Sequence, residues 1–199
     1  MIATRVRLFL SIAVVLALAG AMAVFAEQRM RPPGPRPAFQ LPVACDETWR
    51  LSTYPGHGDY DVDLYPTSGE TYGRPILAAA AGTVVRAGTS GRLGDRNPDN
   101  PDGEMGRGGG YWVRIDHGGK WSTLYLHMLE EPMVTEGQHV EMGDQLGKVG
   151  STGDSSAPHL HFEQLRDGDK VESYFGGAPS GITHDNEEYA VRLTSANCP

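Results

Sequence analysis

The sequence is short of positive charge, of helical periodicity and of cysteine, and each shortage narrows what the chain can be. It has 17 basic against 25 acidic residues in 199, a formal net charge of −8. Arg5 and Arg7 are the only charged residues in 1–26, so the remainder carries 15 basic against 25 acidic residues. Nucleic-acid binders carry a basic footprint, so no nucleic-acid partner is expected. No stretch sustains the apolar period of a long amphipathic helix, and no internal repeat is visible. What is plentiful is glycine (26) and proline (14), with 39% hydrophobic residues, which fits a turn-rich, mainly β protein of one domain plus an N-terminal extension.

Only two cysteines are present, Cys45 and Cys198. Neither closely follows the apolar run at residues 8–26, so a lipoprotein anchor has no support. Arg5 and Arg7 precede that run, and Ala21-Met22-Ala23 and Val24-Phe25-Ala26 are both small-residue cleavage patterns. Residues 1–26 are therefore expected to be a signal peptide, or a retained anchor spanning the membrane through 8–26. Either places the rest of the chain outside the cytoplasm, where an even cysteine count predicts a Cys45–Cys198 disulfide. Residues 27–38 include Arg29, Arg31, Pro32, Pro33, Pro35, Arg36 and Pro37 and read as an extended, solvated linker. The folded domain is expected over 39–199.

Within the domain, Tyr54-Pro55-Gly56-His57-Gly58 predicts a turn around His57. The alternation that follows predicts Asp59, Asp61 and Asp63 on one strand face, where like charges need a cation or solvent. Ile76-Leu77-Ala78 and Val84-Val85-Arg86 read as a strand pair turning at Gly82-Thr83. Residues 88–110 show no apolar period and read as a long loop framing a groove. Its Asp95-x-Asn97-x-Asp99 start has Asn100 at the sixth position and is broken by Pro98 and Pro101, which argues against a calcium loop. Tyr111 to His117 and Lys120 to His127 form a predicted hairpin across Gly118-Gly119, with His117 structural and His127 at a strand end. His139 is expected to be exposed.

The most informative stretch is His159-Leu160-His161-Phe162-Glu163. Its period-two alternation predicts a strand with His159, His161 and Glu163 on one face and Leu160 and Phe162 on the other. Side chains two apart on a strand stand roughly 6.5–7 Å apart, so the two imidazoles need not serve the same atom. Together with His57, Asp63 and His127 they make a zinc-type donor inventory.

These motifs together resemble the lysostaphin/LytM-type zinc metallopeptidases. The resemblance runs over residues 39–175 and is carried by Gly56-His57, Val62-Asp63-Leu64 and Ile76 to Val84 with its Ala-Ala-Gly-Thr-Val run. Ile115-Asp116-His117-Gly118, Tyr125-Leu126-His127, Gly150-Ser151-Thr152-Gly153 and Pro158-His159-Leu160-His161-Phe162 complete it. It implies a compact antiparallel β-sheet domain with long loops framing a zinc groove. It also implies one Zn²⁺ per chain held by His57, Asp63 and His161, with His127 and His159 as the catalytic pair. The commoner family spacing would select Asp61 from His57, but the apolar flanks of Asp63 match better.

Two histidines and an aspartate leave zinc an open position for water. With no His-Glu-x-x-His helix to supply a glutamate base, His127 and His159 are expected to share proton uptake and oxyanion stabilisation. The resemblance thus implies an exported endopeptidase acting on peptidoglycan peptides. The alternatives are a non-catalytic wall-binding or amidase-activating relative, and a zinc protease of glycine-rich proteins.

Overall fold

A computed structural model describes residues 34–198; the expected leader or anchor and residues 27–33 of the expected linker lie outside the described residues. Among those described there is no helix. The strands in chain order are β1 (Thr48–Thr53), β2 (Val62–Pro66), β3 (Pro75–Leu77), β4 (Gly82–Gly94), β5 (Met105–Asp116), β6 (Trp121–Met128) and β7 (His139–Val140). They continue with β8 (Gln145–Lys148), β9 (Leu160–Arg166), β10 (Asp169–Val171), β11 (Tyr174–Phe175), β12 (Ala178–Pro179) and β13 (Tyr189–Thr194).

Nine of them form one antiparallel sheet in the order β13-β1-β2-β9-β6-β5-β4-β7, with β10 added beside β9. The register sets one apolar face. Val62 and Leu64 of β2 lie opposite Phe162 and Leu160 of β9, Phe162 lies opposite Tyr125 of β6, and Tyr125 opposite Val113 of β5. All six are fully buried. A Val, Leu or Phe side chain contributes roughly 1.5–3 kcal/mol when buried in this way. A one-residue slip would turn every one of them outward, so the core fixes the register. The same register then decides the opposite face, where Asp63 pairs with His161 and His161 with Leu126.

The β-rich expectation holds, and the β5–β6 hairpin forms as its alternation predicts. Cys45 and Cys198 are disulfide-bonded, tying the approach to β1 to the end of the chain. His117 is half-buried between the Ala81 carbonyl and the Thr123 hydroxyl, and His139 is exposed.

Four expectations are corrected. Residues 88–110 are not a long loop. β4 and β5 run through them as a paired wing, Arg92 opposite Arg107 and Gly94 opposite Met105, and only 95–104 connect the two. Ladder hydrogen bonds hold a ribbon with little core behind it, so its sequence needs no apolar period. Ile76-Leu77-Ala78 does not pair with Val84-Val85-Arg86. β3 pairs with β8 and β4 with β5 and β7, because the buried run Ala78, Ala79 and Ala80 carries the chain through the core between them. Asp59 does not share the face of Asp61 and Asp63: Tyr60 has a positive φ of 66° that breaks the alternation before β2 begins at Val62, leaving Asp59 exposed while Asp61 and Asp63 are both buried. Finally, residues 34–38 are not solvated spacer. Gly34 N–H donates to Gly119 O at 2.8 Å, and the Arg36 guanidinium packs over the rings of Trp121 and Tyr174 while bonding Gln164 and the Glu172 carbonyl.

Candidate metal centre

The polar face of β2, β9 and β6 opens into a cleft of about 420 Å³, lined among others by His57, Asp63, His127, His159 and His161. All five residues singled out in the sequence meet there. They arrive by three routes.

β9 delivers His161 by regular alternation, with His159 immediately before the strand at a bridge to Gly150. β2 delivers Asp63 by its pairing with His161. His57 comes from the turn after β1. That turn is fixed by Asp185, whose Oδ2 accepts from the N–H groups of Gly56 and Gly58 at 3.1 and 3.0 Å.

His127 arrives differently. Alternation along β6 would put it on the core face with Thr123 and Tyr125. Between the pairs Val113–Tyr125 and Tyr111–Met128, however, β6 spends one residue more than β5. Tyr125 and Met128 are both fully buried, so Leu126 and His127 both turn to the cleft. This is a β-bulge, a device that re-aims a side chain, and His127 takes a left-handed φ of 62° to complete it. The bulge breaks the ladder at Tyr111 N–H and Met128 C=O, and the Thr152 hydroxyl serves both, accepting from the first at 3.0 Å and donating to the second at 2.6 Å. The Thr152 loop must lie against the wing to do so: a Cβ on Gly110 would fall 2.3 Å from Thr152 Oγ1.

Three donor atoms stand mutually equidistant. His57 Nε2, His161 Nδ1 and Asp63 Oδ1 are separated by 3.1 Å in each pair. Donors bonded at about 2.0 Å to one tetrahedral zinc stand about 3.3 Å apart, so this set fits zinc. The outer nitrogens fit as well. His57 Nδ1 faces the Thr53 hydroxyl at 3.2 Å and His161 Nε2 faces Glu163 Oε1 at 3.2 Å, so each ring can hold its proton outward and its lone pair inward. Two overlapping groups, His127 with His159 and His161, and Asp61 with His161 and Glu163, also bring potential donors within 4.8 Å, but less tightly. Asp61 is engaged by the Lys170 ammonium, and its Oδ2 stays 4.0 Å from His161 Nε2.

Burial opposes charge on Asp63, yet hydrogen bonds from His159, His161 and His57 hold its carboxyl well below the usual range. Burial also opposes the His161 cation, but the Asp63 and Glu163 carboxylates outweigh it and push His161 up to about 9. His127 goes the other way. Burial and the neighbouring His159 and His161 push it down to about 3, keeping it neutral. Its Nδ1–H donates to the Thr152 carbonyl at 2.7 Å, leaving Nε2 as an inward-facing acceptor. His159 Nδ1–H donates to the Ala157 carbonyl at 2.8 Å, its Nε2 lies 3.3 Å from Asp63 Oδ1, and its ring stacks on Tyr65.

The sequence placed Glu163 on the His161 face without giving it a partner. It did not reveal Thr53, Thr152, Lys170 or Asp185. Thr152 lies in the Gly150-Ser151-Thr152-Gly153 motif, a signal that could have drawn attention to it; for the others there is none, because Asp185 acts from a distant segment, Lys170 reaches Asp61 from another strand, and Thr53 meets His57 only through the turn between them.

Comparison with known proteins gives a consistent result. Peptidase family M23 matches residues 67–173. His57 and Asp63 precede that stretch, so their place in the centre rests on the geometry above. An uncharacterized metalloprotease of Haemophilus influenzae is 30% identical over 128 residues, 62% of this chain and 24% of that protein. The peptidoglycan DD-endopeptidase ShyA of Vibrio cholerae is 36% identical over 81 residues, 41% of this chain and 19% of that protein. The chain thus spans a quarter or less of these relatives' length. Pseudoalterin, a deep-sea M23 metalloprotease, shares the fold with a TM-score of 0.53 at 21% identity, over 81% of this chain and 97% of that one.

Proposed function

Because the chain belongs to peptidase family M23, we propose that it is a zinc metalloendopeptidase that hydrolyses peptide bonds of bacterial peptidoglycan outside the cytoplasm. The observation that carries this reading is the triad of His57 Nε2, Asp63 Oδ1 and His161 Nδ1, each 3.1 Å from the other two. Zinc bound there would polarise the scissile carbonyl and lower the pKa of water toward 7.

The chain's own residues do the rest. His57, Asp63 and His161 would hold the ion. His127 takes up the proton of the attacking water at Nε2, since Nδ1 is committed to Thr152 and the ring is held neutral. His159, with Nδ1–H committed to the Ala157 carbonyl and Nε2 turned into the cleft beside Asp63, would in its doubly protonated form donate Nε2–H to the oxygen of the tetrahedral adduct. The cleft wall at Gly108 and Gly109 has no side chains, so a peptide backbone can approach it closely. Disulfide-bonded Cys45 and Cys198 favour an oxidising compartment.

The test is to incubate the zinc-restored chain with intact sacculi, with and without a chelator, and to weigh the released fragments. Chelator-sensitive release of peptides is expected, with Asp63→Asn inactive. No release from a protein holding one zinc ion would overturn the peptidoglycan assignment, and cleavage of a glycine-rich protein in the same assay would replace it.

A further inference from the structure

Beside the centre lies a second polar cluster that the reading above leaves without a role. Lys170 stands on β10 opposite Leu165, which has the strand parity of His161 and Glu163, so the lysine emerges on the cleft face of the sheet. Its ammonium bonds Asp61 Oδ1 and lies 3.0 Å from Glu163 Oε1. Asp61 and Glu163 are 4% and 6% exposed. The same Glu163 oxygen accepts from His161 Nε2 at 3.2 Å. A chain of contacts thus runs Asp61, Lys170, Glu163, His161 and ends on a ligand of the proposed centre.

We infer that Lys170 is a positioning residue for that centre: its ammonium fixes the Glu163 carboxylate, which keeps the His161 proton on Nε2 and turns the Nδ1 lone pair toward the metal. The inference rests on the assignment of His57, Asp63 and His161 as ligands. Two buried carboxylates flank one imidazole N–H here, and Asp61 Oδ2 is only 4.0 Å from it. With the ammonium in place, Asp61 is drawn to Lys170 and Glu163 alone receives the His161 proton. Without it, the two carboxylates repel each other and compete for a single donor, and the ring loses its one orientation. Outer partners of metal-ligating histidines commonly carry about 10–100-fold of metal affinity. Lys170 is 39% exposed along its side chain, yet it is the counter-charge of two buried carboxylates, so its removal also costs the fold stability.

The experiment measures zinc affinity of the full chain by chelator competition, alongside melting of the metal-free protein. Lys170→Met is expected to weaken zinc about 10–100-fold when measured well below its own metal-free melting temperature, which falls because two buried carboxylates lose their counter-charge, and Lys170→Arg to recover most of both losses. In a Glu163→Gln background, Lys170→Met should add little, because both act on one hydrogen bond. Wild-type zinc affinity in Lys170→Met, or a full-sized further loss in the Glu163→Gln background, would overturn the inference. His57→Ala is the control for the ligand assignment. If it binds zinc as the parent does, that assignment fails rather than the role of Lys170. Should Lys170→Met be unfolded at the assay temperature, Lys170→Gln repeats the measurement with a polar side chain.

Discussion

β9 and β6 lie side by side and send histidines into the same cleft, yet they do it by opposite means. β9 keeps strict alternation, so burying Leu160 and Phe162 presents His161 and Glu163 on the other face at no extra cost. β6 must break alternation to present His127, with a bulge, a left-handed φ at a non-glycine residue, and a hydroxyl from Thr152 to repair the ladder. A left-handed residue with a Cβ costs roughly 1–2 kcal/mol. Two of the three proposed metal ligands, Asp63 and His161, are thus placed by what the sheet does anyway, with His57 added from a turn. The proposed proton acceptor His127 depends on a local exception held by neighbours.

Substitution at the two strands should separate these roles. His161→Ala removes a ligand, so zinc and activity are expected to vanish together, read by metal content and by fragment release. His127→Ala should keep one zinc per chain while lowering turnover about 10²–10⁴-fold, the usual contribution of a positioned acid or base. Loss of zinc from His127→Ala would mean that His127 belongs to the donor set with His159 and His161, and the contrast between the strands would collapse.

The same contrast explains how much could be read in the sequence. Period two in His159-Leu160-His161-Phe162-Glu163 reveals the face and the candidate site at once, because strand geometry and burial agree there. The wing at β4 and β5 was invisible as strand, since it is glycine-rich and buries no large apolar side chain over 88–94 and 105–110, and hydrogen bonds carry no residue pattern. Alternation along β6 placed His127 on the face of Tyr125, and only the buried Met128 three residues later shows the extra residue. Asp61 and Asp63 were indistinguishable by parity and both face the cleft; what separates them is the Lys170 ammonium that engages Asp61, a contact from another strand. Long-range partners such as Asp185 for the His57 turn, or Arg36 against Trp121, leave no local trace at all.

Thr152 offers a sharper probe of the exception. Thr152→Val keeps the shape and removes the one hydroxyl that serves both Tyr111 N–H and Met128 C=O. Leaving buried backbone groups unpaired costs about 1–3 kcal/mol, read as a lower unfolding midpoint. Because the Thr152 carbonyl also orients His127, turnover should fall while zinc stays bound. An equal loss of zinc and turnover would instead place Thr152 under the whole centre.

The smallest expected effect concerns the other end of β6, where a histidine is purely structural. His117 is bonded to Ala81 O and Thr123 Oγ1 at 2.8 Å each, so it ties β6 to the end of the buried alanine run. Burial pushes its pKa down despite the Ala81 carbonyl and Asp116. In the unfolded chain the ring takes a proton as pH falls through about 6.5; in the folded chain it resists. The unfolded state then binds more protons, so stability is lost as pH falls below that value and is unaffected above it. His127, also pushed down by burial, adds to this slope and His161, pushed up to about 9, opposes it, so the informative quantity is a difference. His117→Gln should reduce the fall in melting temperature between pH 7 and pH 5 by a small, measurable amount, with zinc content and turnover at pH 7 unchanged. If turnover at pH 7 changed as well, the two ends of β6 would not be independent, and the bulge at His127 would depend on how the strand is held at Thr123.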